Sequence, residues 1–348
     1  MNVPPLCNVL VTGGGGYIGS HVVLALLDAG YRVTVIDNLS SGFRWAVPPA
    51  AYFCSGDVAD RPLVSRLIAE REIGAILHFA GSIIVPESVS NPLKYYRNNT
   101  AGTEALLECA VSNGVRHFVF SSSAAVYGHP ASMPVTEDAV TTPLSPYGAS
   151  KLMTEIMLRD VAAAHPLNYC ALRYFNVAGA DPDGRTGQAT AAATHLIKVA
   201  VEAALGRRKE VVIFGDDYAT ADGTGVRDYI HVFDLACAHV AALKRLTAEP
   251  EQSLTLNCGY GRGHSVLEVL DAIDRVAGTR VQRRLAPRRA GDVAALVADN
   301  RRILATLEWK PRYADLETII SHALTWERKL QRLPRDRASA DNQQAEVK

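Results

Sequence analysis

The amino-acid sequence predicts an α/β protein built on a doubly wound parallel sheet, with a smaller C-terminal α/β domain. Short apolar segments alternate with amphipathic helical patterns through the first half of the 348-residue chain. A run of four glycines follows the first apolar segment, and the alternation ends near Val177. Apolar strands that alternate with helices are typical of a parallel sheet covered by helices on both faces.

The candidate strands of this sheet are short apolar runs. They are Val9–Thr12, Arg32–Asp37, Tyr52–Cys54, Ala75–Ala80, His117–Ser122 and Tyr169–Tyr174. After the first run, apolar residues at positions 18, 22, 23, 26 and 27 fall on one helical face, and Gly30 is the expected C-terminal cap. Later in the chain, Ser265 and Glu268 form a capping box, which predicts the start of another helix.

Length and composition divide the chain into two predicted domains and a tail. At roughly 150 residues per domain, the length suggests two domains. We predict a doubly wound domain over residues 1–176, to which later segments return, and a second domain mainly over residues 177–330. Residues 331–348 are polar and are predicted to form a disordered tail.

Charge and cysteine usage exclude several kinds of partner. Lys and Arg total 36 and Asp and Glu total 36, so the net charge of zero gives no general attraction for nucleic acid or an anionic membrane. No long apolar run and no secretory signal occurs, and the six widely spaced cysteines form no Cys-x-x-Cys pair. We therefore expect a cytoplasmic protein with free thiols. We expect no metal site, because Asp216, Asp217 and Asp222 do not fit an EF-hand and no histidine pair has ligand spacing.

The glycine-rich turn carries the first functional signal. Its glycines fit G-x-G-x-x-G at positions 14, 16 and 19, and G-x-x-G-x-x-G at positions 13, 16 and 19. The chemistry needs glycine because the turn is tight and the backbone approaches a pyrophosphate, toward which a helix N-terminus points its N–H groups. Asp37, at the end of the next strand, is placed to bind the adenosine ribose and to repel a 2′-phosphate. The sequence therefore predicts a Rossmann-type domain that binds NAD rather than NADP.

A tyrosine and a lysine four residues apart form the candidate catalytic pair. Tyr147 and Lys151 lie in a helical pattern and share one face. Bringing a phenol to neutral pKa requires about 4 kcal/mol, of which a lysine charge about 6 Å away supplies roughly 3 kcal/mol. The positive nicotinamide ring of NAD⁺ would supply the rest. Upstream, Ser121–Ser123 ends a strand, at the edge where open α/β sheets bind their ligands.

Seven segments together resemble the extended short-chain dehydrogenase/reductase superfamily and, within it, the UDP-glucose 4-epimerases. They are Leu10–His21, Asp37–Leu39, His78–Gly81, Phe120–Gly128, Ser145–Lys151, Arg173–Asn176 and Gly215–Val232. The last segment is the one most particular to the epimerases. The resemblance covers roughly residues 8 to 330.

The resemblance implies the reversible interconversion of UDP-galactose and UDP-glucose with tightly bound NAD. Tyr147, as a phenolate, would take the proton of the sugar 4-hydroxyl, with Ser123 relaying or positioning it. The C4 hydride would pass to NAD⁺, and the 4-keto sugar would rotate and receive it on the opposite face. Lys151 would also bridge the nicotinamide ribose hydroxyls. A homodimer is implied as well, without an indication of its surface.

The same resemblance assigns binding residues position by position. Those expected to bind NAD are Gly13, Gly16, Tyr17, Ile18, Gly19, Asp37, Asn38, Asp57, Val58, Phe79, Ala80, Gly81, Asn98, Ser121, Tyr147, Lys151 and Tyr174. Those expected to bind the UDP-hexose are Ser123, Tyr147, Asn176, His195, Phe214, Arg227, Tyr229, Arg289, Asp292 and Leu296. No residue is expected to bind a metal.

Several of these positions have an ordinary structural alternative. Asp57 either contacts adenine or is a turn carboxylate, and Tyr229 either contacts uridine or is a core aromatic residue. His195 either meets the diphosphate or is an exposed histidine. Arg227 and Arg289 suit a pyrophosphate because a guanidinium offers planar, paired donors. Their alternative is ordinary ion pairing, with Asp228 and Asp292 respectively.

Two segments depart from the family pattern. Ser82-Ile-Ile stands where the family often has a lysine near the cofactor phosphates, and Thr194–Lys198 replaces an Asn-Leu-x-Pro segment. Leu296 stands where a large tyrosine excludes N-acetylated sugars and a small residue admits them, so it leaves the sugar range open.

Other functions share the predicted fold. A nucleotide-sugar 4,6-dehydratase needs an Asp-Glu pair beside the serine, whereas Ala124 and Ala125 follow Ser123 here. A nucleotide-sugar decarboxylase is a second alternative. The third is a catalytically inactive NAD-binding regulator, which would not need the intact Ser123, Tyr147 and Lys151.

Overall fold

The computed structural model describes residues 7–190, 193–289 and 291–332. The strands are β1 (Asn8–Thr12), β2 (Val33–Asp37), β3 (Tyr52–Ser55), β4 (Ile73–His78), β5 (His117–Ser123), β6 (Asn168–Tyr174), β7 (Asn176–Ala178), β8 (Val211–Phe214), β9 (Val226–His231), β10 (Leu254–Cys258), β11 (Gly263–Ser265), β12 (Arg283–Ala286) and β13 (Ala295–Leu296). The helices are α1 (Tyr17–Asp28), α2 (Arg61–Glu70), α3 (Val85–Ser90), α4 (Pro92–Tyr95), α5 (Gly102–Ser112), α6 (Pro146–Ala164), α7 (Leu196–Ala204), α8 (Val232–Ala248), α9 (Val266–Ala277), α10 (Arg301–Thr306) and α11 (Leu316–Arg332).

The central sheet has seven parallel strands in the order β3-β2-β1-β4-β5-β6-β10. Side chains of one strand alternate between two buried clusters, because successive residues point to opposite faces. Val9 and Val11 pack with residues of α1 and α8, whereas Leu10 packs with residues of α2, α5 and α6. Both faces are therefore covered, and the predicted doubly wound, Rossmann-type sheet is confirmed.

The fourth strand begins and ends two residues earlier than the sequence predicts, at Ile73 and His78. At the earlier end, the hydroxyl of Thr12 accepts hydrogen bonds from the backbone N–H groups of Phe79 and Ala80, each at 3.2 Å. These two residues consequently leave the strand and cross the end of β1. They come to lie over the glycine turn that follows that strand.

Helix α1 ends as the glycine predicts. Ala29 caps the helix, and Gly30 follows it with φ of 86°. The N–H of Gly30 donates to the carbonyl of Leu27, and that of Tyr31 donates to the carbonyl of Leu26. This pair of bonds is the Schellman arrangement, which a residue with positive φ makes possible.

The capping box of the later helix is also present. Ser265 Oγ accepts from the N–H of Glu268, whose carboxylate accepts from the N–H of Ser265.

After β6 the chain builds a second, smaller group of elements. Strands β7, β11 and β13 pair with β9, while β8 pairs with β12. Helices α7, α9 and α11 pack together through a buried apolar cluster. The chain also returns to the first group, because α8 packs against α1 and β10 pairs with β6.

All six cysteines are free thiols, as the spacing predicts. None of the helices in residues 7–190, 193–289 and 291–332 is long and apolar enough to span a bilayer. The predicted disordered tail lies, from residue 333 onward, outside the described residues.

Candidate active site

The turn between β1 and α1 has room only for glycine at several positions. A Cβ at Gly13, which has φ of +70°, would lie 2.7 Å from the nitrogen of Ala80. A Cβ at Gly19 would lie 2.2 Å from the carbonyl oxygen of Gly13. Gly16 caps α1 without a side chain, so bare backbone faces outward where the helix begins. This cradle fits the pyrophosphate of a dinucleotide, and Tyr17 and Ile18 follow it in the first turn of α1.

Asp37 closes the cradle from the end of β2. Its two carboxylate oxygens accept hydrogen bonds from the N–H groups of Gly15 and Leu39, both at 2.8 Å. Burial raises the pKa of Asp37, and these two bonds oppose the increase. A carboxylate oxygen has two lone pairs, so each oxygen keeps an acceptor site for a ribose hydroxyl.

Asp57 is a turn carboxylate. It accepts from the side-chain amide of Asn38 at 3.0 Å and from the N–H of Ala59 at 2.9 Å. Asp60, rather than Asp57, caps α2. Val58 lies between these two acids and is buried. A contact of Asp57 with adenine remains a prediction.

The segment after β4 is fixed by two neighbouring asparagines. Asn98 donates to the hydroxyl of Ser82 at 3.0 Å, which brings this predicted NAD contact beside Gly81. Asn99 accepts from the N–H of Ser82 at 2.7 Å and donates to the hydroxyl of Ser150 at 3.0 Å. Sequence reasoning missed Asn99, although the doubled asparagine was a visible signal. The serine that departs from the family pattern is thus part of this network.

Tyr147 and Lys151 are both buried on one side of α6. The ammonium of Lys151 lies 5.9 Å from the centre of the Tyr147 ring, close to the separation assumed from the sequence. It donates to the carbonyl of Ser121 at 2.9 Å, which anchors α6 to the end of β5. Ser145 caps the helix, so the tyrosine stands in its first turn.

The protonation of this pair follows from its burial. Burial raises the pKa of Tyr147, and a hydrogen bond with the Ser123 side chain opposes the increase. Burial lowers the pKa of Lys151 to about 8, against the attraction of Glu155, so the lysine is still a cation at neutral pH. The lysine alone therefore does not ionise the phenol. Ionisation of Tyr147 near neutral pH needs a further positive charge, which is the role expected of the oxidised nicotinamide ring.

The serines occupy the strand end as expected, with different partners. Ser123 begins a 3₁₀ turn, and its Oγ accepts from the N–H of Ala125 at 3.2 Å. Ser121 donates to the hydroxyl of Tyr174 at 2.9 Å. Ser122 donates to the carboxylate of Glu155 at 2.5 Å.

A buried ion pair under the catalytic helix was missed by the sequence reasoning. Arg173 of β6 meets the carboxylate of Glu155 in α6 at 2.6 Å, and the two side chains are 9% and 7% exposed. Arg173 also donates to the hydroxyl of Tyr127. The pair joins the catalytic helix to the sheet, and only the three-dimensional structure brings its members together.

Strand β9 carries the central residues of the predicted sugar-nucleotide site. Asn176 begins β7, two residues after β6 ends at the catalytic edge, and pairs in register with Tyr229. Tyr229 is 4% exposed and lines a cavity together with Asn176. It is therefore a core aromatic residue that also faces the cavity.

The two arginines differ in their surroundings. Arg227 has no carboxylate within ion-pair distance among the described residues. Asp228 points away from it and accepts N–H bonds from Tyr260, Gly261 and Ala298, so the alternative of an Arg227–Asp228 pair is wrong. Burial raises the pKa of Asp228 to about 6, which these bonds oppose.

Arg289 does form the alternative ion pair. Its guanidinium lies 3.5 Å from the carboxylate of Asp292 and 4.1 Å from the centre of the Phe214 ring. Three predicted substrate residues thus lie together, and Arg289 is 44% exposed.

His195 precedes α7, and Leu296 belongs to β13. His195 is exposed at the start of α7, and its Nδ1 meets the amide of Gln188 at 3.0 Å. Leu296 pairs in register with Arg227 and packs against a buried apolar cluster that includes Ala124, the residue after Ser123. The position that resembles a sugar gate therefore packs against the same cluster as the residue that follows the predicted catalytic serine.

The cavity has further walls that the sequence did not reveal. Lys198 of α7 and the Trp326-Glu327 pair of α11 line it, together with Gln188. More than a hundred residues separate Lys198 from Glu327, and no local pattern connects them.

Comparison with known proteins agrees with this geometry. Residues 9–259 match the NAD dependent epimerase/dehydratase family. The chain is 56% identical over 323 residues to a UDP-glucose 4-epimerase of Azospirillum brasilense, covering 93% of this chain and 92% of the relative.

Solved structures give the same result. The UDP-glucose 4-epimerase of Brucella ovis in complex with NAD is 44% identical, with a TM-score of 0.89 over 92% of this chain and 98% of that chain. The enzyme of Bifidobacterium longum in complex with NAD⁺ and UDP is 40% identical, with a TM-score of 0.88 over 92% of this chain and 98% of that chain. The chain therefore belongs to the NAD dependent epimerase/dehydratase family and, within it, to the UDP-glucose 4-epimerases.

Proposed function

We propose that the protein interconverts UDP-galactose and UDP-glucose by transient oxidation at C4 of the sugar. The observation that carries the proposal is the buried Tyr147–Lys151 pair beside Ser123, at the same sheet edge as the glycine cradle. NAD, when bound, supplies the acceptor for the C4 hydride and returns it, so the 4-keto sugar exists only between the two transfers. The relatives named UDP-glucose 4-epimerase support the choice of substrate.

Each catalytic residue has one task. Tyr147 removes the proton from the 4-hydroxyl and gives it back after the sugar has turned over. Ser123, whose side chain opposes the increase that burial causes in the pKa of Tyr147, positions that hydroxyl. Lys151 keeps a positive charge near the phenolate, held in place by the carbonyl of Ser121. Burial excludes water, which strengthens the attraction between the two groups.

The substrate is held by the elements that follow β6. Arg227 supplies a guanidinium without a competing carboxylate among the described residues, which suits a diphosphate. Tyr229 and Asn176 line the adjacent cavity. Leu296 pairs in register with Arg227 and packs against the cluster that contains Ala124, so it stands at the position expected to affect which sugars fit.

The test is incubation of the purified protein with UDP-galactose and no added NAD, followed by separation of the products. We expect UDP-glucose, because the cofactor is regenerated in every cycle and stays bound. A dehydrated keto sugar would indicate a lyase instead. Absence of any conversion by protein that contains NAD would contradict the proposal and favour an inactive regulator.

We also propose that the protein acts as a homodimer in the cytoplasm. Free thiols at all six cysteines suit a reducing compartment. Met153 and Ile156 of α6 are both 41% exposed, and Val89 and Leu93 of the neighbouring α3 and α4 are 63% and 70% exposed. An apolar face of this kind suits a second copy of the chain. Light scattering would show one chain mass per particle if the proposal is wrong.

A further inference from the structure

Two adjacent residues of the last helix, Trp326 and Glu327, touch elements of both ligand-binding regions. We infer that they are positioning residues for the substrate, which hold the first turn of α7 against the cavity. The inference rests on the proposed function and extends it to a helix that carries none of the predicted site residues.

Glu327 joins α11 to both ends of α7. Its side chain is 0% exposed and accepts charged hydrogen bonds from Lys198, in the first turn of α7, and from Arg207, just beyond its last turn. Lys198 is 7% exposed and lies 3.3 Å from the carboxylate of Glu202. A buried carboxylate shared by two cations fixes where α7 stands relative to α11.

A buried ion pair of this kind is weak evidence for a contribution to stability. Replacing a buried pair by apolar residues of similar volume is often neutral or stabilising, whereas removing one partner leaves a costly buried charge. The pair does, however, set geometry, because charged hydrogen bonds are directional. Lys198 and Glu327 line the cavity beside Asn176 and Tyr229, so the geometry they set is that of the cavity wall.

Trp326 holds the same wall from the other side. Its indole N–H donates to the carbonyl of Gln188 at 3.2 Å, and the amide of Gln188 meets Nδ1 of His195 at 3.0 Å. A Cβ at Gly187 would lie 2.4 Å from the indole, so the ring packs directly on this backbone. His195 is the N-cap residue of α7, and its position therefore depends on both members of the Trp326-Glu327 pair.

Trp326 also reaches the cofactor region. Its ring lies 6.0 Å from that of Trp45, which in turn lies 5.3 Å from the ring of Phe43. The N–H of Phe43 donates to the carbonyl of Gly15 at 2.9 Å, within the glycine cradle. These aromatic rings connect the glycine cradle to the cavity wall. Helix α11 therefore contributes to the position of the substrate region relative to the cofactor region.

The experiment compares Glu327→Gln, Lys198→Met/Glu327→Gln and Glu317→Gln in the NAD-containing enzyme. Glu317 lies on the same helix and pairs with Arg275 at 2.9 Å, but both side chains are more than half exposed. We expect Glu327→Gln to raise KM for UDP-galactose about tenfold with kcat nearly unchanged. This pattern indicates that the variant binds the substrate less tightly but carries out the chemical step at the same rate. The Glu317 control should match the wild type.

The double variant separates positioning from stability. It removes the buried cation together with its carboxylate, Arg207 is 44% exposed, and Glu202 keeps Arg208 as a partner, so the thermal midpoint should recover in part while KM stays high. Recovery of KM together with the midpoint, or an unchanged KM in folded Glu327→Gln, would overturn the inference. If Glu327→Gln does not fold, Trp326→Phe provides the test, because it keeps an aromatic ring but loses the bond to Gln188 and part of the packing on Gly187 and Trp45. We expect it to raise KM about threefold, and an unchanged KM would again contradict the inference.

Calorimetric titration with UDP distinguishes this failure from failure of the proposed function. Wild-type protein that binds UDP without epimerising UDP-galactose would contradict the proposed function alone. In that case, equal UDP affinity in wild type and Glu327→Gln would contradict the positioning role.

Discussion

The cofactor cradle and the substrate region are built in different ways. The cradle is one short segment between β1 and α1, where missing side chains let the backbone meet a ligand. The substrate region uses side chains from β7, α7, β9, β13 and α11, which lie far apart in the sequence. A backbone site can be encoded by a contiguous motif, whereas a side-chain site depends on how distant elements pack.

This difference predicts how each region fails. One added methyl group should abolish a backbone site, because the clash is with main chain that cannot move aside. In a site built from side chains, each substitution should remove one contact and lower the affinity by a limited amount.

Gly19→Ala should remove the cofactor. Its Cβ would stand 2.2 Å from the carbonyl oxygen of Gly13, so the turn must open and the cradle is lost. We expect purified protein without bound dinucleotide and without turnover, measured by absorbance of the released cofactor. Gly102→Ala is the matched control, because its Cβ would meet Val58 at an ordinary 3.6 Å. Retention of NAD by Gly19→Ala would contradict a backbone-built cradle.

Tyr147→Phe should lower kcat by about 10³-fold while NAD stays bound, because the variant loses only the proton-transfer group. The measurement is turnover of UDP-galactose alongside the NAD content of the purified protein. Unchanged turnover would remove Tyr147 as the base. Loss of NAD would instead show that the expected contact of the Tyr147 hydroxyl with NAD is needed to retain the cofactor.

Arg227→Ala should raise KM more than Arg289→Ala. Arg227 has no carboxylate partner among the described residues, while Arg289 shares Asp292 and is 44% exposed. We expect about a 30-fold increase in KM for Arg227→Ala and a fewfold increase for Arg289→Ala.

Arg301→Ala is the control for both arginine variants, since Arg301 is 85% exposed and pairs with Asp299. Equal increases in KM for Arg227→Ala and Arg289→Ala would show that a carboxylate partner does not weaken the contribution of an arginine to substrate binding.

A fall in pH should destabilise the part of the protein built around the seven-stranded sheet, because three histidines are buried there. Burial lowers the pKa of His21 and His239 to about 4 and that of His78 to about 3. An unfolded histidine titrates near 6.5, so stability is retained above that pH and lost as the pH falls below it. Each group costs about 2 kcal/mol at pH 5.

His239→Phe should therefore reduce the fall in the thermal midpoint between pH 7.5 and pH 5. The substitution keeps an aromatic ring between Phe79 and Tyr174. An acid-induced fall equal to that of the wild type would exclude this histidine as a source of the acid sensitivity.

Much of the fold could be predicted because its signals are local. The alternation of apolar strands with helices indicated the parallel sheet, and Gly30, Ser265 and Glu268 marked helix ends correctly. The predicted fourth strand was shifted by two residues, and at its end the hydroxyl of Thr12 draws Phe79 and Ala80 out of it. That contact joins different strands and leaves no trace in the local pattern.

The sequence by itself determined the glycine cradle, the acid at the end of β2 and the Tyr147–Lys151 spacing. These depend on backbone conformation or on helical periodicity, which neighbouring residues control. Tertiary structure alone decided the protonation of that pair, because burial raises the pKa of Tyr147 and lowers that of Lys151. It also decided that Arg227 stands without a carboxylate partner among the described residues, and that Glu327 meets Lys198 across the chain. Desolvation and long-range charge pairing depend on what surrounds a side chain in space, and sequence order does not specify those surroundings.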